Sequence, residues 1–145
     1  MIRINAKNVN LKKKDYEEYN INGYYLVENI ISKATCQKLK RYAEKHYADK
    51  PKYPITLNIH RKDENFFNII SNKNILKIMK FFQKSKVNAL NDQMIYKKKK
   101  TFYSAQSWTF HQDNAYPKAK HGKYVIAHLF LDDSTPNNGG LIFFK

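Results

Sequence analysis

The stretch "SWTFHQDNAYP", Ser107 to Pro117, with "DDSTPNNGGLIFFK" following from Asp132, decides how this 145-residue chain is read. It sets His111 and Asp113 two residues apart inside an aromatic run of strand-like composition. On an extended strand side chains alternate, so these two share one face, Gln112 takes the other, and their Cα atoms lie about 7 Å apart. A single ion is then within reach of both. Imidazole plus carboxylate, joined by a second imidazole, is the facial triad that leaves open positions on Fe(II). Taken alone, a His-x-Asp pair is weak evidence, because a chain with five histidines meets an aspartate at this spacing by accident often enough.

Outward from this stretch the texture is that of short strands. "VNALNDQMIY", "TFYSAQSWTFHQD", "KYVIAHLFLDD" and "GLIFF" are rich in β-branched and aromatic residues. Turn chemistry separates them, in "KKKK", "PKAKHG" and "TPNNGG". Upstream, the pattern is helical. Cys36, Leu39, Ala43 and His46 or Tyr47 recur at helical spacing behind a cap at Ser32 or Thr35. "DKPKYP" ends that helix and "ITLNIH" alternates like a half-buried strand. Phe66, Phe67 and Ile70, then Ile75, Ile78, Met79 and Phe82, predict two short amphipathic helices, the second capped at Asn72 or Asn74. A polar, Lys-rich lead and an extended apolar segment, Tyr24 to Val27, precede all of this.

At 42% apolar and 14% aromatic residues the chain has material for one core and one domain. No apolar run approaches the roughly 20 residues of a membrane span, and the N-terminus lacks the apolar block of a signal peptide. A soluble cytoplasmic protein is the default expectation. The single cysteine, Cys36, reads as a buried small hydrophobe. The formal charge of +15 raises the question of an anionic partner. Its makeup argues against nucleic acid: arginine occurs only at 3, 41 and 61, and the lysines are scattered rather than gathered on one element. The one dense run, Lys97 to Lys100, reads as a solvated turn.

Taken together, "SWTFHQDNAYP", the strand "VIAHLFLDD" and "STPNNGGLIFF" resemble the phytanoyl-CoA dioxygenase family of non-haem iron, 2-oxoglutarate-dependent oxygenases. "NGYYLVENIISKATCQKLK" is similar to that family's opening strand and helix, and "RKDENFFNIISNKNILKIMKFF" to the helical layer before its barrel. The resemblance implies an α+β fold, with N-terminal helices (about 1–85) packed on part of a double-stranded β-helix, a cupin-like jelly roll (about 87–145). It implies Fe(II) held by His111 and Asp113, with 2-oxoglutarate and O2 as co-substrates. Met94 would lie near the 2-oxoglutarate pocket, Gln112 would touch the cofactor through its backbone, and His128 stands where some members place a tryptophan beside 2-oxoglutarate. The aromatic strands around Trp108, Phe110 and Tyr116 would border a small-molecule substrate whose identity the sequence does not give. No nucleic acid or membrane partner is implied.

Each assignment has a plainer counterpart. Met94 suits a core gap, His128 a hydrogen-bonded wall, Asp132 and Asp133 the turn that follows them, and His121 a solvated loop. The family's distal histidine and its 2-oxoglutarate-binding basic residue have no counterpart here: His46, His60 and the three arginines all precede the barrel. The expectation is therefore an N-terminal portion of such an oxygenase, inactive as it stands and prone to self-association through an unpaired sheet edge. Two readings from other classes stay open, a non-catalytic β-sandwich binding module and a nucleic-acid binder using the lysine-rich surface.

Overall fold

The computed structural model describes residues 1–47, 55–97, 109–120 and 123–144, without the side chains of 55 and 56. The expectations placed on "DKPKYP", "TFYSAQSW" with Trp108, Lys98 to Lys100 and His121 lie outside those residues.

Four helices and one small sheet carry the described fold. Helix α1 is Lys13–Asn22, α2 is Lys33–Tyr47, α3 is Glu64–Ile70 and α4 is Lys73–Gln83; strand β1 is Ile55–Leu57 and β2 is Gln93–Ile95. Helix α1 is an addition to what periodicity indicates, since it grows from the Lys-rich lead. Its signals are at its ends. The Asp15 carboxylate accepts from the Lys12 amide at 2.6 Å, and Gly23 closes the helix in the left-handed region at φ 77°. One face supplies Tyr16 and Tyr19, whose rings meet Phe81 and Phe82 of α4 at 6.2 and 4.8 Å.

Helix α2 begins after Ser32, whose Oγ accepts from the Thr35 amide at 3.2 Å, and it buries Leu39 and Ala43. The caps of α3 and α4 are side-chain carboxylate and amide oxygens. Asp63 accepts from the Asn65 amide, and Asn72 accepts from the amides of Asn74 and Ile75. Along α4, Ile78 and Phe82 are buried one turn apart while Lys73, Lys77, Lys80 and Lys84 stay exposed. Each of the two buried side chains contributes about 1.5–3 kcal/mol.

The centre of the packing is Ala43 of α2, Ile59 in a 3-10 turn and Phe66 of α3, with Tyr42, Tyr47, Ile69, Met94 and Tyr96 against them. Strands β1 and β2 pair antiparallel, Thr56 opposite Met94, which brings the β2 side chains to this cluster. A second tie runs beside the sheet. The Asp92 carboxylate accepts from the His60 backbone amide at 3.2 Å and pairs with the His60 imidazole, while its carbonyl takes the Asn58 amide. The N-terminal segment is laced to the helices by asparagines: the Ile2 amide donates to Asn65, while Asn72 and Asn74 donate to the carbonyls of Ile4 and Ala6.

The jelly roll expected over 87–145 is not what the described residues show; their sheet has two strands, β1 and β2. "ITLNIH" is strand only to Leu57 and then turns through Ile59–Arg61. "VNALNDQMIY" is strand only at its centre, and the described parts of "KYVIAHLFLDD" and "GLIFF" form no ladder. Composition supplies β propensity, but a strand exists only when a neighbour takes its amides and carbonyls. The helical layer plus a small sheet is therefore the observed α+β arrangement. No helix among the described residues is long and apolar enough to cross a membrane.

Candidate functional site

His111 and Asp113 do not sit on a strand. His111 lies in irregular backbone, and Asp113 opens a 3-10 turn, Asp113–Ala115, in which the Ala115 amide donates to the Gln112 carbonyl at 2.9 Å. That turn swings the Asp113 carboxylate back toward its neighbour two residues earlier. His111 Nε2 and Asp113 Oδ1 stand 3.0 Å apart, on side chains that are 36% and 42% exposed. The following loop is built by Asn114, whose side chain takes the Ala119 amide at 2.9 Å and donates to the Ala119 carbonyl at 3.2 Å. The Tyr116 ring meets the His111 ring edge-on at 6.3 Å.

The other imidazole nitrogen settles what the pair is. His111 Nδ1 lies 2.6 Å from the Thr109 carbonyl oxygen, which only accepts, so Nδ1 carries a proton and donates. In the neutral ring Nε2 is then a lone pair facing a carboxylate oxygen, and two acceptors at 3.0 Å need a positive centre between or upon them. Either a second proton sits on Nε2, making an imidazolium–carboxylate pair, or a cation takes its place. The surroundings of the ring promote the first state. The Thr109 hydrogen bond raises the His111 pKa, desolvation works against it, and the Asp113 carboxylate adds to the rise. The second state is open to a divalent ion. Two donors bound at about 2.0–2.2 Å and at right angles to one another are about 3 Å apart. A ligating histidine ordinarily gives its other N–H to a backbone carbonyl, as His111 does to Thr109. The donor set therefore fits part of a metal site.

The remaining predicted residues are placed as follows. Gln112 is exposed and commits its carbonyl to the turn. Met94 packs against the Ala43–Ile59–Phe66 cluster, the core position its type suits. His128 keeps exposed surface and lies near Phe130, ring planes 28° apart. The protein around its ring nonetheless pushes its pKa down, while the Asp113 charge acts in the opposite direction. Asp132 is turned to α2, where it pairs with Lys40 at 2.8 Å. Among the described residues no three histidine, cysteine or carboxylate side chains gather closely enough to hold a metal ion. The shallow groove bounded by Met1, Ile4, Asn68 and Asn72 lies on the helical layer and shares no residue with the His111–Asp113 segment.

Sequence reasoning passed over Thr109 and Asn114, whose parts are played by a backbone carbonyl and a loop-pinning amide. Asparagine two residues before a Tyr-Pro turn was the available signal for the second. For the first there was none, because any residue supplies a carbonyl.

A family model described as phytanoyl-CoA dioxygenase matches residues 19–145. Comparisons with curated proteins and with solved structures returned no match.

Proposed function

The chain belongs to the phytanoyl-CoA dioxygenase family, and we propose on that basis that it is built for Fe(II)- and 2-oxoglutarate-dependent oxidation of a small molecule. The family generally comprises 2-oxoglutarate-dependent oxygenases, and its cupin-like fold is the proposed setting for residues about 87–145. The observation that carries the reading is the approach of His111 Nε2 to Asp113 Oδ1, with Nδ1 already committed to Thr109.

His111 and Asp113 are the proposed ligands of the iron, which when bound supplies O2 activation coupled to decarboxylation of 2-oxoglutarate. The chain's own contribution is orientation. The Thr109 carbonyl fixes which ring nitrogen faces Asp113, and the 3-10 turn holds the carboxylate against it. Tyr116 and Phe110, each 78% exposed, flank the pair and are the proposed border of the substrate site. His128 is proposed as a wall residue beside the co-substrate, supported by the Asp113 charge it feels. Gln112 is proposed to contribute backbone alone. Met94 serves from the core side.

Isothermal calorimetry on the 145-residue chain tests this, with Mn(II) standing in for Fe(II). The expected result is Mn(II) binding by the chain that is lost in His111→Ala and in Asp113→Ala. Mn(II) binding that ignores both substitutions, or no Mn(II) binding by the parent, contradicts the reading and points to a non-catalytic module with an incidental ion pair.

A further inference from the structure

The run Leu141 to Phe144 reaches the residue next to His111 through one aromatic contact. Phe144 meets Phe110 edge to face, centroids 4.5 Å apart and planes at 70°. Phe110 is the residue immediately before His111. The same run is anchored elsewhere, since Phe143 stacks on Tyr24 at 4.7 Å and 24°. Just upstream, the Gly139 carbonyl accepts from Lys97 at 2.6 Å. Gly139 itself sits at φ 82°, and a Cβ on Gly140 would lie 2.9 Å from the Thr135 carbonyl oxygen, so the turn that aims this run depends on both glycines.

Residues 109–112 have neither helix nor strand to hold them. What fixes the direction of His111 is then the Thr109 contact and whatever steadies its neighbours. Given the ligand roles proposed for His111 and Asp113, on which this rests, we infer that Phe144 is a positioning residue for the metal pair, acting through Phe110. Both rings are largely exposed, Phe110 at 78% and Phe144 at 67%, so removing Phe144 takes little from the core. An edge-to-face pair contributes modestly, so metal affinity should fall by about two- to tenfold rather than vanish. The pair's geometry should loosen with it.

Cobalt(II) alone is the probe, because its visible absorption reports coordination geometry as well as occupancy. It is titrated into the 145-residue chain and into Phe144→Tyr, Phe144→Leu, Phe144→Ala and His111→Ala, with thermal unfolding of each recorded. The expected result is that Phe144→Tyr matches the parent in affinity and spectrum. Phe144→Leu and Phe144→Ala should weaken binding and alter the bands at an unchanged unfolding midpoint. If the alanine variant fails to fold, the contrast between leucine and tyrosine decides. Leucine and tyrosine variants that bind alike overturn the positioning role; loss in His111→Ala then leaves the ligand assignment standing. Cobalt binding by His111→Ala equal to the parent's overturns the assignment, and the inference with it.

Discussion

Asp63 shows how much one side chain does in the helical layer. It caps α3 through the Asn65 amide at 2.8 Å and accepts the hydroxyls of Tyr42 and Tyr47 at 2.8 and 2.7 Å, tying α2 to the start of α3. Burial pushes its pKa up, but the Tyr47, Tyr42 and Asn65 hydrogen bonds outweigh it and the net shift is downward. A carboxylate depressed in the folded state contributes stability that is fully present above its unfolded pKa and lost as pH falls through the folded one. Asp63→Ala should therefore cost about 1–3 kcal/mol near neutral pH, from the lost cap and the stranded hydroxyls. Below about pH 4 the difference from the parent should begin to shrink, because the unfolded chain takes up its proton first and the folded carboxylate follows only at lower pH. Urea unfolding at pH 7 and pH 3 checks both, and a penalty that stays constant across that range would show that Asp63 acts by packing alone.

At the scale of elements, the sequence was most readable where a helix buries a continuous apolar stripe behind a polar cap. Helices α3 and α4 fall where Phe66, Ile78 and Phe82 recur, and Asn72 caps as its position indicates. Helix α1 was not legible from periodicity because its apolar face is two tyrosines among charges. The later strands were read from β-branched and aromatic composition, and of them only Gln93–Ile95 finds a pairing partner among the described residues. Asn72 offers a test of the layer, since Oδ1 caps α4 while Nδ2 donates to the Ile4 carbonyl at 3.1 Å. Asn72→Ala should cost about 1–2 kcal/mol, and Asn72→Asp should recover most of it, because aspartate caps equally well. Aspartate cannot donate to Ile4, so amide exchange over the first residues should be accelerated in both variants. Unfolding midpoints and exchange rates together separate the two roles.

For the whole molecule, what the sequence made legible was that His111 and Asp113 approach one another, not the setting in which they do so. His111 and Asp113 do come together, yet they do so through a 3-10 turn and a backbone carbonyl, where alternation on a strand was the stated reason. The competing carboxylate–imidazole pair, His60 with Asp92, is far less exposed and is engaged in tying the Ile59–Arg61 turn to the segment before β2. One experiment distinguishes the two and tests the metal assignment directly: Mn(II) added in substoichiometric steps to isotope-labelled protein, with paramagnetic line broadening mapped by NMR. The account predicts that resonances of residues 109–116 broaden first, centred on His111 and Asp113, while those of His60 and Asp92 persist. Broadening centred on His60 and Asp92, or none that favours either pair, would contradict it.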